Sequence, residues 1–209
     1  MQEEIFISGR EIPKIDPYLE IWHFPIALYL FLGGLAAGIL FFAALFTALD
    51  KDKQVPAVVK YAMIIVPVAL SIGLMALFYD LTHKLYFWQL YTTIRLESPM
   101  SWGAWVLLII TPLSFLWVFS YFSEIFPKWK LPFPFLDKFE TYLAKNRKNM
   151  ALIILPLSII LGIYTGILLS AFNARPLWNN SILGPLFLTS GLSTGAAAIL
   201  LLSKTHFEK

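Results

Sequence analysis

The sequence predicts an all-α protein, a polytopic transmembrane helix bundle of about five spans. Its 209 residues are 58% hydrophobic and only 14% charged, whereas soluble domains are about half apolar and a quarter charged. Five apolar segments are each long enough to cross about 30 Å of hydrocarbon at about 1.5 Å per residue. A membrane barrel would instead need alternating strands of about ten residues, so these segments are predicted to be helices.

The predicted spans lie near 22–48, 56–79, 102–125, 149–173 and 182–203. The second, third and fourth contain Pro67, Pro112 and Pro156, which predict kinks where neighbouring helices satisfy the freed carbonyls. We divide the chain into an N-terminal segment at 1–21, a four-helix bundle at 22–173, and a fifth span with its tail at 174–209.

The first span begins with a titratable group. His23 lies at its mouth, and Pro25 suits a first helical turn, where the missing N–H costs little. Residues 1–21 lack the basic-then-apolar pattern of a cleaved signal peptide, so the first span is expected to act as the insertion signal.

Glycine pairs at a spacing of four recur in three spans. They are Gly34 and Gly38, Gly162 and Gly166, and Gly191 and Gly195. Such pairs permit close helix contact in lipid and predict a tightly packed bundle. The two halves show no repeat, which disfavours a transporter built on inverted repeats.

Loop charge predicts the orientation. One set of alternate loops and termini carries eleven lysines and arginines, the other five. The positive-inside rule then places the N-terminus outside and the C-terminus in the cytoplasm. The basic loop Lys128–Lys148 is interpreted as an orientation signal beside anionic lipid rather than as a binding site.

Cofactor options are limited by composition. The chain has no cysteine, so it is not expected to carry an ordinary iron–sulfur cluster, which must then reside on a partner. Haem ligation by His23 and His83 is not excluded by residue count. It is disfavoured because His83 falls in a predicted loop past Asp80, and no haem is expected.

Several polar groups are predicted to share the outer side: His23, Asp80, His83, Trp102, Tyr164 and Arg175. A quinone head has two carbonyls that need hydrogen-bond donors, and its reduction needs two protons. A histidine and a tyrosine hydroxyl can supply the bonds and a proton route. The aromatic residues near the same level are expected to wall the cleft: Trp22, Phe24, Tyr29 and Trp102.

Each candidate also has a structural interpretation. His23 can cap its helix, and Tyr164 can make a helix-packing hydrogen bond. Trp102 can belong to the aromatic belt at the membrane surface. Asp80 can be solvated or paired with Lys84 or Arg95, instead of relaying protons.

Separated blocks that cover nearly the whole chain after residue 20 resemble one family. The sequence is similar to the polysulfide reductase membrane subunit, or NrfD-like, family in the first span from His23 to Gly38 and at Asp80-Leu81 with Ser98–Trp105. The similarity continues through Gly162–Ala171, Ala174–Asn179 and Leu188–Gly195. Two features depart from the family pattern: Leu19 replaces an asparagine of some members, and about five spans are predicted where typical members have eight or more.

The resemblance implies an NrfD-like four-helix bundle in a quinone-reactive membrane anchor. The family's quinone-site histidine falls on His23 and its quinone-contacting tyrosine on Tyr164, with menaquinone or ubiquinone as the ligand. Asp80, His83, Trp102 and Arg175 are candidates for proton relay or site support. The implied partners are a four-cluster ferredoxin-like iron–sulfur subunit and a catalytic subunit, often a molybdopterin enzyme.

We therefore expect a subunit of a respiratory oxidoreductase in the prokaryotic cytoplasmic membrane. It would pass electrons between the quinone pool and the iron–sulfur partner, with the terminal chemistry on another subunit. Whether the chain is itself an enzyme stays open. The alternatives are a non-redox membrane anchor and a small proton channel or transporter, the latter disfavoured by the lack of a charge in mid-helix.

Overall fold

The fold is helical throughout the described part of the chain. A computed structural model describes residues 24–81, 83–93, 98–128, 133–170 and 180–207, and no strand occurs among them. Five helices are long and apolar enough to span a membrane: Phe24–Ala48, Ala57–Asp80, Pro99–Phe119, Arg147–Ser170 and Leu183–Ser203. We call them the first to fifth spans. The predicted fold class is confirmed.

The third span begins and ends earlier than the predicted range 102–125. Ser98 is extended and Pro99 takes the first helical position, which proline's fixed φ favours. At the other end the backbone carbonyl of Ser120 accepts a hydrogen bond from the Arg147 guanidinium. A short separate helix, Phe122–Ile125, follows this turn.

The first span packs against three of the other spans. It packs against the second, fourth and fifth spans, while the third span packs against the second and fourth. The first four spans therefore form a ring in which each contacts its two neighbours. The fifth span lies in the groove between the first and fourth.

Two of the glycine pairs meet in that groove. A Cβ on Gly38 would overlap the carbonyl oxygen of Gly191 and lie 3.0 Å from the Cα of Gly195. A Cβ on Gly34 would lie 3.7 Å from the Cα of Gly191. The first and fifth spans thus approach backbone to backbone, as small-residue faces allow in lipid. This contact explains the close packing that the sequence predicted.

The second span opens with a π-helical stretch, Ala57–Ala62. The fully buried indole of Trp117 donates a hydrogen bond to the Val59 carbonyl in this stretch, over 3.0 Å. One hydrogen bond thus connects the start of the second span to the end of the third.

The basic loop before the fourth span contains a structured element that the sequence interpretation did not predict. Pro134–Lys145 forms an amphipathic helix with a buried carboxylate, Glu140. This carboxylate accepts hydrogen bonds from the backbone N–H and the hydroxyl of Ser123, over 2.8 and 2.6 Å. The helix is therefore attached to the end of the bundle at which the third span ends.

Candidate functional site

The predicted site residues differ in where the structure places them. His23 and Arg175 lie outside the described residues, as does the N-terminal segment 1–21. Tyr164 is buried, Asp80 is half-buried, and His83 is exposed. The Trp102 side chain is 55% exposed. Among the described candidates, only Tyr164 therefore lies in the bundle interior.

Tyr164 lies near one end of the ring. It precedes the end of the fourth span at Ser170 by six residues, or about 9 Å at 1.5 Å per residue. Its ring lies directly against the third span, because a Cβ on Gly103 would overlap the ring end and the hydroxyl oxygen. A glycine at this position leaves the space that the phenol occupies.

Tyr29 approaches Tyr164 from the first span. Its side chain is 2% exposed, and its hydroxyl has no hydrogen-bond partner among the described residues. The two phenol groups are close enough to interact electrostatically. The sequence interpretation placed Tyr29 only in an aromatic wall. No spacing signal identified its buried hydroxyl, since that depends on how the helix is rotated.

A second glycine contacts this pair. A Cβ on Gly73 of the second span would lie 3.4 Å from the Tyr29 ring, tighter than most real contacts. The two tyrosines are thus held between four helices: the first and fourth carry the phenols, and the second and third contribute the glycines against which they pack.

An apolar cavity of about 410 Å³ lies along the second half of the second span. It is lined by second-span side chains between Ser71 and Leu81 and by Phe87 and Tyr91 of the following segment. The cavity volume falls within the range of about 300–1,000 Å³ that is typical of small-molecule sites.

In sequence, Asp80 and His83 lie within the segment that lines the cavity, although neither lines it. Asp80 is the last residue of the second span, between the cavity residues Phe78 and Leu81. The Lys84 ammonium lies 4.7 Å above the centre of the Tyr79 ring. No ion pair joins Lys84 to Asp80 in the described part of the chain, and Arg95, the other partner considered for Asp80, lies outside it. Among the described residues, no group of three His, Cys, Asp or Glu side chains is arranged to hold a metal ion.

The opposite end of the bundle carries an ion cluster that the sequence interpretation did not identify. Glu124 accepts from Lys60 over 2.5 Å and from Arg147 over 2.8 Å. Burial alone would raise the pKa of Glu124, but the hydrogen bonds from Lys60 and Arg147, together with their charges, hold it below its usual value. The Arg147 guanidinium also lies 3.5 Å above the Tyr121 ring. Burial raises the pKa of Tyr121 to about 12, although the Arg147 charge opposes this shift.

The fold defines an integral, multi-pass membrane protein whose helix ring encloses a tyrosine pair near one end. The family described as "Polysulphide reductase, NrfD" matches residues 15–209. The chain belongs to this family, which confirms the resemblance found in the sequence.

Named relatives agree with this assignment. The protein is 34% identical over 191 residues to the C subunit of polysulfide reductase from Wolinella succinogenes, an alignment that covers 90% of this protein and 60% of the relative. It is 32% identical over 187 residues to protein NrfD of Escherichia coli, covering 87% and 59% of the two sequences. The chain thus spans about three fifths of the length of the curated relatives that it matches.

Proposed function

We propose that this chain is the quinone-interacting membrane anchor of a respiratory oxidoreductase. The observation that carries the proposal is the buried tyrosine pair packed between the four spans, in a bundle whose second span also lines an apolar cavity. A quinone needs hydrogen-bond donors for its carbonyl oxygens and an apolar space for its ring and tail. The Tyr164 hydroxyl is such a donor, and the cavity of the second span is such a space.

A bound quinone supplies two-electron chemistry, taking up two electrons and two protons on reduction and releasing them on oxidation. The protein's own residues bind and orient the ring. Tyr164 donates to one carbonyl oxygen, and His23, by the family resemblance, serves the other. Gly103 fixes the Tyr164 ring against the third span, which limits the positions that its hydroxyl can take.

The partners and the terminal chemistry follow from the family. We propose a four-cluster ferredoxin-like iron–sulfur subunit that exchanges electrons with the quinone, and a catalytic subunit that can be a molybdopterin enzyme. A relative named as one lettered subunit of polysulfide reductase supports a multisubunit assembly. The excess of lysine and arginine on one set of loops supports a cytoplasmic-membrane location with the N-terminus outside.

The deciding experiment measures quinol turnover by the assembled complex with His23→Ala and Tyr164→Phe. We expect both variants to assemble and to lose at least about tenfold in kcat/KM, the loss expected from one hydrogen bond that strengthens toward the transition state. Wild-type turnover in both would contradict the site assignment. If the wild-type complex neither binds quinone nor turns it over, the alternative of a non-redox membrane anchor is favoured.

A further inference from the structure

The helix Pro134–Lys145 keeps two large aromatic side chains exposed. Its 12 residues rise about 18 Å, too short to cross about 30 Å of hydrocarbon. One face of the helix is already used, because Leu143 and the Glu140 carboxylate are buried against the bundle. Phe135 and Tyr142 are nevertheless 72% and 63% exposed. Packing within the fold therefore does not explain them.

The two aromatic residues form part of a repeated pattern. Phe135 and Tyr142 are seven residues apart, and each is followed three residues later by an exposed lysine, Lys138 or Lys145. Residues three apart are neighbours on a helix surface, so these four side chains share one flank. No carboxylate among the described residues forms an ion pair with either lysine. Asp137 is exposed about 120° around the helix, at about 100° per residue, so the acidic group lies on a different flank.

A row of aromatic rings connects this flank to the lipid-facing side of the third span. The Phe135 ring stacks on the Phe139 ring with 6.3 Å between centres. Phe139 in turn lies 5.8 Å from Phe119, the last residue of the third span. One turn earlier on the same face, Phe115 is 52% exposed. The exposed apolar side of a spanning helix contacts lipid, so the row leads from the bilayer to the flank.

The helix is also tethered at the level where two spans end. Glu140 accepts hydrogen bonds from Ser123, shortly after the end of the third span. The helix itself ends at Lys145, and the fourth span begins at Arg147. A helix held at both points lies where the hydrocarbon core meets the lipid headgroups, as interfacial amphipathic helices do.

Aromatic rings and lysines side by side suit a lipid surface better than a protein partner. Tyrosine rings are enriched at the membrane interface, and a lysine can bury its stem while its ammonium reaches into water. The cores of protein interfaces are instead depleted of lysine. The flank is also complementary in charge to anionic headgroups, which attract basic residues near the membrane surface.

We propose that the flank formed by Phe135, Lys138, Tyr142 and Lys145 is a membrane-surface site for anionic phospholipid. The two rings enter the boundary between headgroups and acyl chains, and the two ammonium groups bind lipid phosphates. This surface lies at the end of the bundle opposite Tyr164, and it does not depend on the proposed quinone function. It gives the basic loop a binding role in addition to its effect on orientation.

The first test locates the flank relative to the bilayer. The chain has no cysteine, so Tyr142→Cys and Thr141→Cys each place a nitroxide spin label at a single position. Both native side chains are exposed, and the two adjacent positions lie on different flanks. In nanodiscs of equimolar phosphatidylcholine and phosphatidylglycerol, we expect the label at 142 to be relaxed mainly by dissolved oxygen, which concentrates in the hydrocarbon. The label at 141 should be relaxed mainly by a water-soluble nickel chelate.

Two outcomes of this measurement contradict the proposal. Equal access of the nickel chelate to both labels would show that the flank faces water. A label at 142 that is open to nickel in nanodiscs and shielded only in the assembled complex would assign the flank to a protein partner instead of lipid.

The second test measures binding of phosphatidylglycerol to the full-length protein in detergent by native mass spectrometry. We expect the double variant Lys138→Gln with Lys145→Gln to bind about 25-fold more weakly than the wild type, about fivefold for each lysine. Phosphatidylcholine, which has no net charge, should bind the wild type and the variant equally.

Lys51→Gln with Lys53→Gln is the matched control. It removes the same charge from two exposed lysines in the connection between the first and second spans, on the same side of the membrane. Its affinity for phosphatidylglycerol should stay close to that of the wild type. Equal losses in the two double variants would show a general effect of net charge and would overturn the proposed site, as would no loss in the Lys138 and Lys145 variant.

Discussion

The ring of Tyr164 lies against the backbone of Gly103, where the third and fourth spans pack together. A Cβ at position 103 would occupy the space of the phenol end. The position of the proposed quinone donor therefore depends on a residue of another helix that has no chemistry of its own.

Gly103→Ala should displace the Tyr164 ring and weaken quinone binding. The obstacle is a buried aromatic ring with little room to move, so we expect a loss of at least about tenfold in quinone affinity, together with about 1–3 kcal/mol of destabilisation from overpacking. Quinone titration and thermal unfolding of the same preparation measure the two effects.

Gly33→Ala is the control for this variant, since its Cβ would meet only the Thr165 methyl at an ordinary 3.6 Å. Quinone affinity and Tm should stay close to wild type. Equal effects of Gly33→Ala and Gly103→Ala would contradict a specific role for the contact between Tyr164 and Gly103.

Gly38→Ala should weaken the attachment of the fifth span. Its Cβ would overlap the Gly191 carbonyl oxygen, and backbone cannot move aside as a flexible side chain can. We expect a loss of about 1–3 kcal/mol, seen as a lower Tm in detergent. Gly34→Ala is the control on the same helix face. Its Cβ would lie at an ordinary contact distance of 3.7 Å from the Gly191 Cα, so this variant should cost less. A larger effect of Gly34→Ala than of Gly38→Ala would show that the helices are in a different register.

The ion cluster formed by Glu124, Lys60 and Arg147, here called the Glu124 cluster, should make the folded protein less stable in acid. The folded-state pKa of Glu124 is lowered relative to 4.5. The stabilisation of the folded state by the Glu124 carboxylate is therefore fully present above about pH 4.5. It is lost as the pH falls through the lower pKa of the folded state. In this window the Tm of the wild type should fall more steeply than that of Glu124→Gln, which has no carboxylate to protonate.

Asp50→Asn provides the comparison for the acid effect. Asp50 pairs with Lys148 over 2.5 Å, but both side chains are more than half exposed, so solvent screens the pair. The Tm of Asp50→Asn should depend on pH in nearly the same way as the Tm of the wild type. If Asp50→Asn flattened the profile and Glu124→Gln did not, the assignment to Glu124 would be wrong.

Trp117→Phe should destabilise the bundle at the end that carries the Glu124 cluster. The variant removes the hydrogen bond of the indole to the Val59 carbonyl and leaves space beside that carbonyl. We expect a cost of about 1–3 kcal/mol, measured by thermal or denaturant unfolding. Trp105→Phe, at a site that is 37% exposed, should cost less. Equal losses would show that tryptophan content, rather than this hydrogen bond, sets the stability.

The sequence predicted the elements whose signals are local. Apolar length indicated five spans, and their positions agree with the structure to within a few residues, except at the end of the third. There the end is set by Arg147, which follows 27 residues later and bonds to Ser120. The division into domains, the orientation and the roles of His23, Tyr164, Asp80, His83, Trp102 and Arg175 stay predictions.

By itself the sequence determined a five-span helical membrane protein of the NrfD family and singled out Tyr164. Only the tertiary structure decided that Tyr29 points inward, at 2% exposed, while Phe31 two residues later is 57% exposed. The physical reason is that a span is apolar on every face, so hydrophobic periodicity does not show which face is buried. Helix rotation and register are set by contacts between spans, here by Gly38 against Gly191 and Gly103 against Tyr164.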